Sequence, residues 1–273
     1  MAKKNSFDCC RVKHHSRVSL KDWDPADHRG FEGDKKDAEQ ELLSINKELN
    51  EMQELLYAEH KHRILVVLQG IDASGKDGVV RHVFGGLNPQ GVRVVSFKSP
   101  STKEMDHDYL WRIHQETPAK GEIAVFNRSH YEDVLIVRVH EMVPKSVWEK
   151  RYDHIRDFER MLTDEGTIVL KFFLWIDQKE QQERLQARLN DPDKRWKFQV
   201  SDLEERKFWP DYVKAYEDML SLTSTDDAPW YIVPSNKKWY RNMVVSRTLL
   251  TKLKELHMQY PDPKDLKNVK VPS

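Results

Sequence analysis

Apolar residues first recur with helical spacing between Lys35 and His60, at Leu42, Leu43, Ile45, Leu49, Met52, Leu55 and Leu56. That i, i+3, i+4, i+7 pattern predicts a long amphipathic helix that packs on the rest of the chain or on a second copy. The pattern then changes. Ile64 to Leu68, closed by Gln69, is a short unbroken apolar run. It is too short for a helix and rich in β-branched residues, so it predicts a strand buried on both faces. Runs at 92–97, 122–126, 167–175 and 230–233 predict four more strands. Helical stretches at 76–87, 106–115, 146–162, 179–189, 211–222 and 238–260 alternate with them. Strands alternating with helices imply a parallel sheet covered on both faces, an α/β fold. The polar residues 1–33 and those after Pro261 predict loose tails. The expected organisation is a tail and helical arm over 1–60, a main domain over 61–260 and a loose tail over 261–273.

Composition narrows the class. Lys plus Arg total 45 and Asp plus Glu total 45, so the formal net charge is zero. A neutral balance gives no general attraction to nucleic acid or to an anionic membrane, so any polyanion site must be local. No stretch nears ~18 uninterrupted apolar residues, and the N-terminus lacks an apolar signal core, so neither a membrane span nor a secretory signal is predicted. The two cysteines, Cys9 and Cys10, are adjacent and have no other partner. That usage predicts a cytoplasmic protein. A metal role for Cys9, Cys10, His14 and His15 is the alternative to a plain polar tail.

Candidate chemistry begins where the first strand ends. Gly70, Gly75 and Lys76, in Gly70-Ile71-Asp72-Ala73-Ser74-Gly75-Lys76-Asp77-Gly78, match G-x-x-x-x-G-K between a strand and a helix. There, backbone amides, a helix N-terminus and a lysine converge on phosphate oxygens. Asp77 stands where nucleotide hydrolases carry Ser or Thr for magnesium, and Asp72 lies inside the loop. A carboxylate in a phosphate cradle repels its ligand unless a cation bridges them. Asp72 is therefore predicted to act through Mg²⁺, and Asp77 either through the metal or as an acid in a first helical turn.

Asn127-Arg128-Ser129-His130-Tyr131-Glu132-Asp133 follows the third strand, and ligands of open parallel sheets sit beyond the strands' carboxyl ends. Arg128 can neutralise a transferring phosphoryl group. Asn127 holds the place of the usual acid. Glu132 and Asp133 then either supply the missing carboxylate or pair with nearby cations. The charged segment at about 190–210 predicts a helical lid whose cations meet the phosphates on closure: Arg184, Arg188, Lys194, Arg195 and Lys197. Lys98 and Lys103, with Arg81, His82 and Arg112, are candidates for a phosphate track.

The Gly70–Gly78 and Asn127–Asp133 stretches, with Lys194-Arg195-Trp196-Lys197-Phe198, resemble the family-2 polyphosphate kinases. The stretches 87–91, 108–112 and 228–231 extend the resemblance, which runs from about residue 20 to 260. It implies a three-layer phosphate-loop kinase fold similar to thymidylate kinase, with a helical lid and arm. It implies phosphoryl transfer between inorganic polyphosphate and adenine nucleotides, with Mg²⁺ or in its place Mn²⁺. Asp72 and Lys76 would be central to catalysis with Arg128 beside them, and Gly70, Ala73, Ser74, Gly75, Asp77, Gly78 and Asn127 would contact phosphate or nucleotide. Asp72, Glu132 and Asp133 are the expected metal ligands. Where diphosphate-specific subgroups carry Asp-Arg-Ser, this chain has Asn127-Arg128-Ser129, which resembles the subgroup that accepts both AMP and ADP. The expected reaction is reversible transfer from polyphosphate to AMP, then ADP, in a homo-oligomer, dimer or tetramer. Two rivals are an ATP-dependent nucleoside monophosphate kinase, against which Asp77 argues, and a non-catalytic nucleotide-binding module.

Overall fold

The computed structural model describes residues 7–263 and 271. In chain order its elements are α1 (Lys35–Glu59), β1 (Arg63–Gln69), α2 (Lys76–Val79), β2 (Val92–Ser96), α3 (Thr102–Met105), α4 (Trp111–His114), β3 (Ile123–Asn127), α5 (Ile136–Val139), α6 (Lys145–Trp148), α7 (Arg151–Asp164), β4 (Thr167–Trp175), α8 (Gln178–Asn190), α9 (Ser201–Glu205), α10 (Trp209–Thr223), β5 (Trp230–Pro234) and α11 (Lys238–Glu255). A wider turn at Val80–Phe84 continues α2, and a tight three-residue-per-turn helix spans His130–Val134.

Among the described residues the five strands form one parallel sheet in the order β2-β3-β1-β4-β5. The strand β1 is central because it is apolar on both faces. Ile64, Val66 and Leu68 point into one core with α1 and α11, and Leu65 and Val67 into the other with α7 and α10. That is the two-residue period of a strand, used on both sides at once. Leu68 is level with Asn127 on one side and Phe172 on the other, so the loops after β1 and β3 leave the same end of the sheet side by side. The helix α1 starts at a reciprocal cap, where the Asp34 carboxylate accepts from the amides of Lys36 and Asp37 and the Asp37 carboxylate accepts from the Asp34 amide. It packs along α11 through Ile45, Leu49 and Leu56.

Three expectations change. Residues 7–33 are not a loose tail: Phe7, Cys10, Val12, Val18, Leu20 and Phe31 are buried. The Val12 amide donates to Trp230 O at 2.8 Å and Arg11 forms an antiparallel bridge to Tyr231, along the outer side of β5. The predicted helix at 106–115 is instead a single turn, α4, preceded by another, α3, outside that range. Ser101 and Glu104 cap α3 reciprocally, and Asp108 Oδ1 takes the Leu110 amide before α4. The helix at 146–162 divides into α6 and α7. The expected C-terminal tail falls mostly on residues outside those described. No described helix is long and apolar enough to cross a membrane.

One buried polar group ties the sheet to α7. Lys171, in β4, is fully buried, and its Nζ donates to Glu159 Oε2 at 2.5 Å, to the Tyr131 hydroxyl at 2.9 Å and to Thr223 O at 2.7 Å. The Tyr131 hydroxyl donates to Glu159 Oε1 at 2.7 Å. Burial opposes ionisation of Glu159, but Lys171 and His130 beside it hold its carboxyl below the usual range. Lys171→Met leaves that carboxylate buried without its ammonium partner, so it should destabilise the fold by about 3–5 kcal/mol. Adding Glu159→Gln should recover much of that loss in denaturant unfolding. A double variant no more stable than the single would show that packing, not uncompensated charge, sets the cost.

Candidate active site

The loop after β1 is held by its carbonyl groups. Lys76 Nζ donates to Gly70 O at 2.5 Å and to Ile71 O at 3.5 Å. Gln181 Nε2, from α8, donates to Asp72 O at 3.1 Å. Arg184 Nη1, one turn further along α8, donates to Ala73 O at 2.9 Å and to Ser74 O at 2.8 Å. In a planar trans peptide the N–H points opposite to the preceding C=O. Turning the Asp72, Ala73 and Ser74 carbonyls towards α8 therefore turns the amides of Ala73 and Gly75 the other way, where they can meet an anion. The Ser74 amide closes a turn on Ile71 O at 3.0 Å. Ser74 Oγ is buried with no protein partner.

Two glycines make this shape feasible. Gly70 has φ +153°, and a Cβ there would lie 2.7 Å from Leu174 O and from Ser74 Oγ. Gly75 has φ +109°, and its Cβ would meet Arg241 Nη1 at 1.8 Å. Ala73 and Arg128 also take positive φ, 65° and 63°, without being glycine. Such conformations cost of order 1–3 kcal/mol and persist where function over-determines them.

Charged side chains then gather in front of the loop. Arg128, at the end of β3, donates from Nη2 to Asp72 Oδ1 at 2.7 Å. Glu132 acts on the same guanidinium and on Lys76. Burial pushes the Glu132 carboxyl up, against the pull of Arg128 and Lys76. In the orientation that satisfies both partners, the Gln69 amide accepts from the Ser129 amide at 3.2 Å and donates to Glu132 Oε1 at 3.1 Å. Lys76 is itself buried, and burial together with the nearby Arg128 pulls its ammonium down to about 8, although Asp72 and Glu132 oppose this.

Other expected residues are placed differently. Asp133 is not brought to Asp72. Its Oδ1 accepts from Arg151 Nη1 at 2.8 Å, and burial pushes its carboxyl up to about 6 despite Arg151. Neighbouring residues in a helix of three per turn point about 120° apart, so Glu132 and Asp133 cannot share a target. Asp77 accepts from Asn127 Nδ2 at 2.9 Å and from Lys197 Nζ at 3.2 Å, bridging the end of β3 to the 190–210 segment. Of the other expected lid cations, Lys194 pairs with Asp191, Arg195 Nε donates to Leu189 O at 2.9 Å and Arg188 is half-buried. Arg184 holds the loop rather than serving as a lid cation. Lys98 and Lys103 are exposed beyond the end of β2, two strands from β1, and Lys103 lies over the Trp111 ring. Gln181 and Arg241 were not foreseen as site residues. They lie on helices more than a hundred positions from the loop, and no local motif marks them.

Among the described residues, no cluster of three or more His, Cys, Asp or Glu could by itself hold a metal ion. The donor set at the loop nevertheless fits Mg²⁺, which takes one or two carboxylates and completes its shell with water and phosphate oxygens. Asp72 and Glu132 would be those carboxylates. Both act on the same neighbours, Arg128 and Lys76, so they face one small space.

Oriented amides, a buried lysine and an arginine from the adjoining strand all serve the handling of phosphoryl groups, and on this sheet order they define a phosphate-loop kinase. A family model described as Polyphosphate kinase 2 (PPK2) matches residues 32–261, and the chain belongs to that family. It is 57% identical over 253 residues to an AMP/ADP-polyphosphate phosphotransferase of Meiothermus ruber, covering 93% of this chain and 95% of that one. It is 46% identical to an ADP-polyphosphate phosphotransferase of Rhodopseudomonas palustris, covering 92% of this chain and 91% of the relative. A crystal structure of polyphosphate kinase 2 from Arthrobacter aurescens TC1 superposes with a TM-score of 0.91 at 44% identity, covering 94% and 92% of the two chains.

The position of Lys76 has a pH signature. Its folded value, about 8, lies below its unfolded 10.5. Between those values the unfolded chain binds more protons, so this residue's contribution to stability rises with pH across that window. Phosphate binding runs the opposite way, because the ammonium loses its charge as pH rises past about 8. Calorimetric affinity for tripolyphosphate should fall through that range, and Lys76→Arg should shift the fall upward. Parallel profiles for the two proteins would remove Lys76 from the phosphate contact.

Proposed function

We propose that this protein transfers the terminal phosphoryl group of inorganic polyphosphate to AMP and then to ADP, yielding ADP and ATP, and that it also runs in reverse. The observation that carries this reading is the loop whose Asp72, Ala73 and Ser74 carbonyls are held by α8, with Lys76 and Arg128 converging beside it, in a chain that belongs to the polyphosphate kinase 2 family. The name of the Meiothermus ruber relative, which includes both acceptors, supports the two-step sequence. Two free thiols, Cys9 and Cys10, suit a cytoplasmic setting.

The chemistry asks little covalent help from the protein. A phosphate oxygen of the acceptor, already anionic near neutral pH, attacks the terminal phosphorus. The bridging P–O bond breaks and the shortened chain leaves as an anion, so no general base is needed. What remains is alignment and charge. The loop amides and Ser74 Oγ bind the donor phosphates. Lys76 and Arg128 take up charge as the phosphoryl group crosses. Arg128 rests on Asp72, which keeps its guanidinium aimed at the loop. Asp72 and Glu132 would hold Mg²⁺, which would supply further neutralisation of phosphate charge. Lys197, at Asp77, brings the 190–210 segment over the loop as a lid.

Incubation with AMP, Mg²⁺ and polyphosphate should give ADP first and ATP after it. Turnover of AMP with ATP but none with polyphosphate would replace this reading by a nucleoside monophosphate kinase. Asp72→Asn should lower turnover by at least about 100-fold, the order seen when a preorganised charge contact is lost. Metal-free polyphosphate binding should hold or tighten, because a repelling charge is gone. Retained turnover with an unchanged Mg²⁺ midpoint would make Asp72 a turn residue. Neutralising Arg195 and Lys197 together should reduce kcat and leave the melting temperature within about 2 °C, since exposed charges contribute little to stability. Unchanged kcat would return the segment to plain surface.

A further inference from the structure

Behind the loop lies a cation that the reaction above does not use. Arg241, in the first turn of α11, is 2% exposed. Its Nε and Nη2 donate to Asn242 Oδ1 at 3.1 and 2.9 Å, and its Nη1 reaches Ser74 O only at 3.5 Å. Among the described residues no carboxylate pairs with it. A guanidinium buried this far ordinarily has an acidic partner, because an uncompensated interior charge is strongly unfavourable. Here its charged neighbour is a second guanidinium, Arg184, and burial together with that neighbour pulls Arg241 down to about 9. Arg184 has its own carboxylate, Glu180, at 2.7 Å. Arg241 has a neutral amide where a carboxylate would fit.

The guanidinium lies against the junction between the loop and α2. A Cβ on Gly75 would come within 1.8 Å of Nη1, and one on Gly78 within 2.7 Å of Nη2. Glycine at these two positions, three apart on one helical face, is what lets the charge come this close. Arg241 and Arg184 both reach the loop from the side of its carbonyls. The Gly75 amide, which follows the Ser74 carbonyl that both reach, faces away, towards the place of the donor phosphates. A positive charge set just behind that surface is therefore uncompensated within the protein and compensated once a polyanion lies in front.

We infer that Arg241 is a positioning residue for the phosphoryl transfer: it fixes the Gly75–Gly78 junction and adds, through the loop, a positive field that strengthens binding of the polyphosphate donor, and Asn242 is neutral so that this field is not cancelled. The inference rests on Gly70–Gly78 being the phosphate loop.

Asn242→Asp tests it, because the change keeps volume and hydrogen bonds and gives Arg241 the carboxylate it lacks. The melting temperature should stay level or rise. KM for polyphosphate should rise about tenfold and its dependence on salt should weaken, while KM for AMP changes by less than about twofold. Arg241→Lys, which keeps the charge and loses the fork, should hold the polyphosphate KM closer to wild type than Asn242→Asp does. An Asn242→Asp protein with wild-type polyphosphate KM overturns the field argument, and one that melts earlier than wild type overturns the reading of Arg241 as an uncompensated charge. Lys76→Met separates this from the loop assignment itself. If it binds polyphosphate normally, the loop is not the phosphate site. If it loses binding while Asn242→Asp is unaffected, only the role of Arg241 fails.

Discussion

A backbone loop can bind an anion only if its carbonyl oxygens are kept out of the way. In this chain that constraint is met by Lys76 of the loop itself and by Gln181 and Arg184 of α8, and it ties together elements far apart in sequence. The helix α8 follows β4, and β4 is hydrogen-bonded to β1, so the sheet order puts the donors of α8 at the loop's back. The helix α11 follows β5, one strand further out, and reaches the same junction through Arg241. Breaking the sheet order would leave a glycine-rich loop with no preferred facing. The two apolar faces of β1 thus matter for chemistry as well as for stability, since they make β1 a central strand with neighbours on both sides.

Much of this was legible in the residues. The strands were visible because parallel strands buried on both faces appear as unbroken apolar runs. The loop was visible because G-x-x-x-x-G-K set between a strand and a helix is specific to phosphate binding. What escaped was whatever lacked a period or a motif. Phe7, Cys10, Val12, Val18, Leu20 and Phe31 are spaced irregularly among polar residues, so the segment reads as tail although each side chain fills a separate place in the two cores. Glu132 and Asp133 read as interchangeable. Only the tight helix at His130–Val134 separates them, sending one towards Arg128 and the other to Arg151. Arg184 was expected to serve a lid, yet its side chain is 10% exposed and its guanidinium is committed to loop carbonyls. A charge run does not reveal which of its members face inward.

The substitution of an acid for the usual hydroxyl after the loop lysine changes the wiring around it. A Ser or Thr at position 77 would present one short oxygen to a metal. Asp77 instead reaches two donors, Asn127 from β3 and Lys197 from the 190–210 segment. Those two hold its carboxyl below the usual range, although burial opposes them. The neutral residue at 127 and the acid at 77 are therefore one arrangement: an Asp at 127 would set two carboxylates against each other where Asn supplies a hydrogen bond.

The bridge between Arg11 and Tyr231 has a different bearing, on how copies of this chain meet. A parallel sheet presents two raw borders, and each is an invitation to add a strand. Along β5 the N-terminal segment already occupies that border, with the Val12 amide satisfied by Trp230 O. The other border, β2, is five residues long, with Arg93 tied to Glu116 and Glu122. One flank is partly covered by residues 11–12 and the other is kept short and charged, which guards the sheet against extending itself into a fibre.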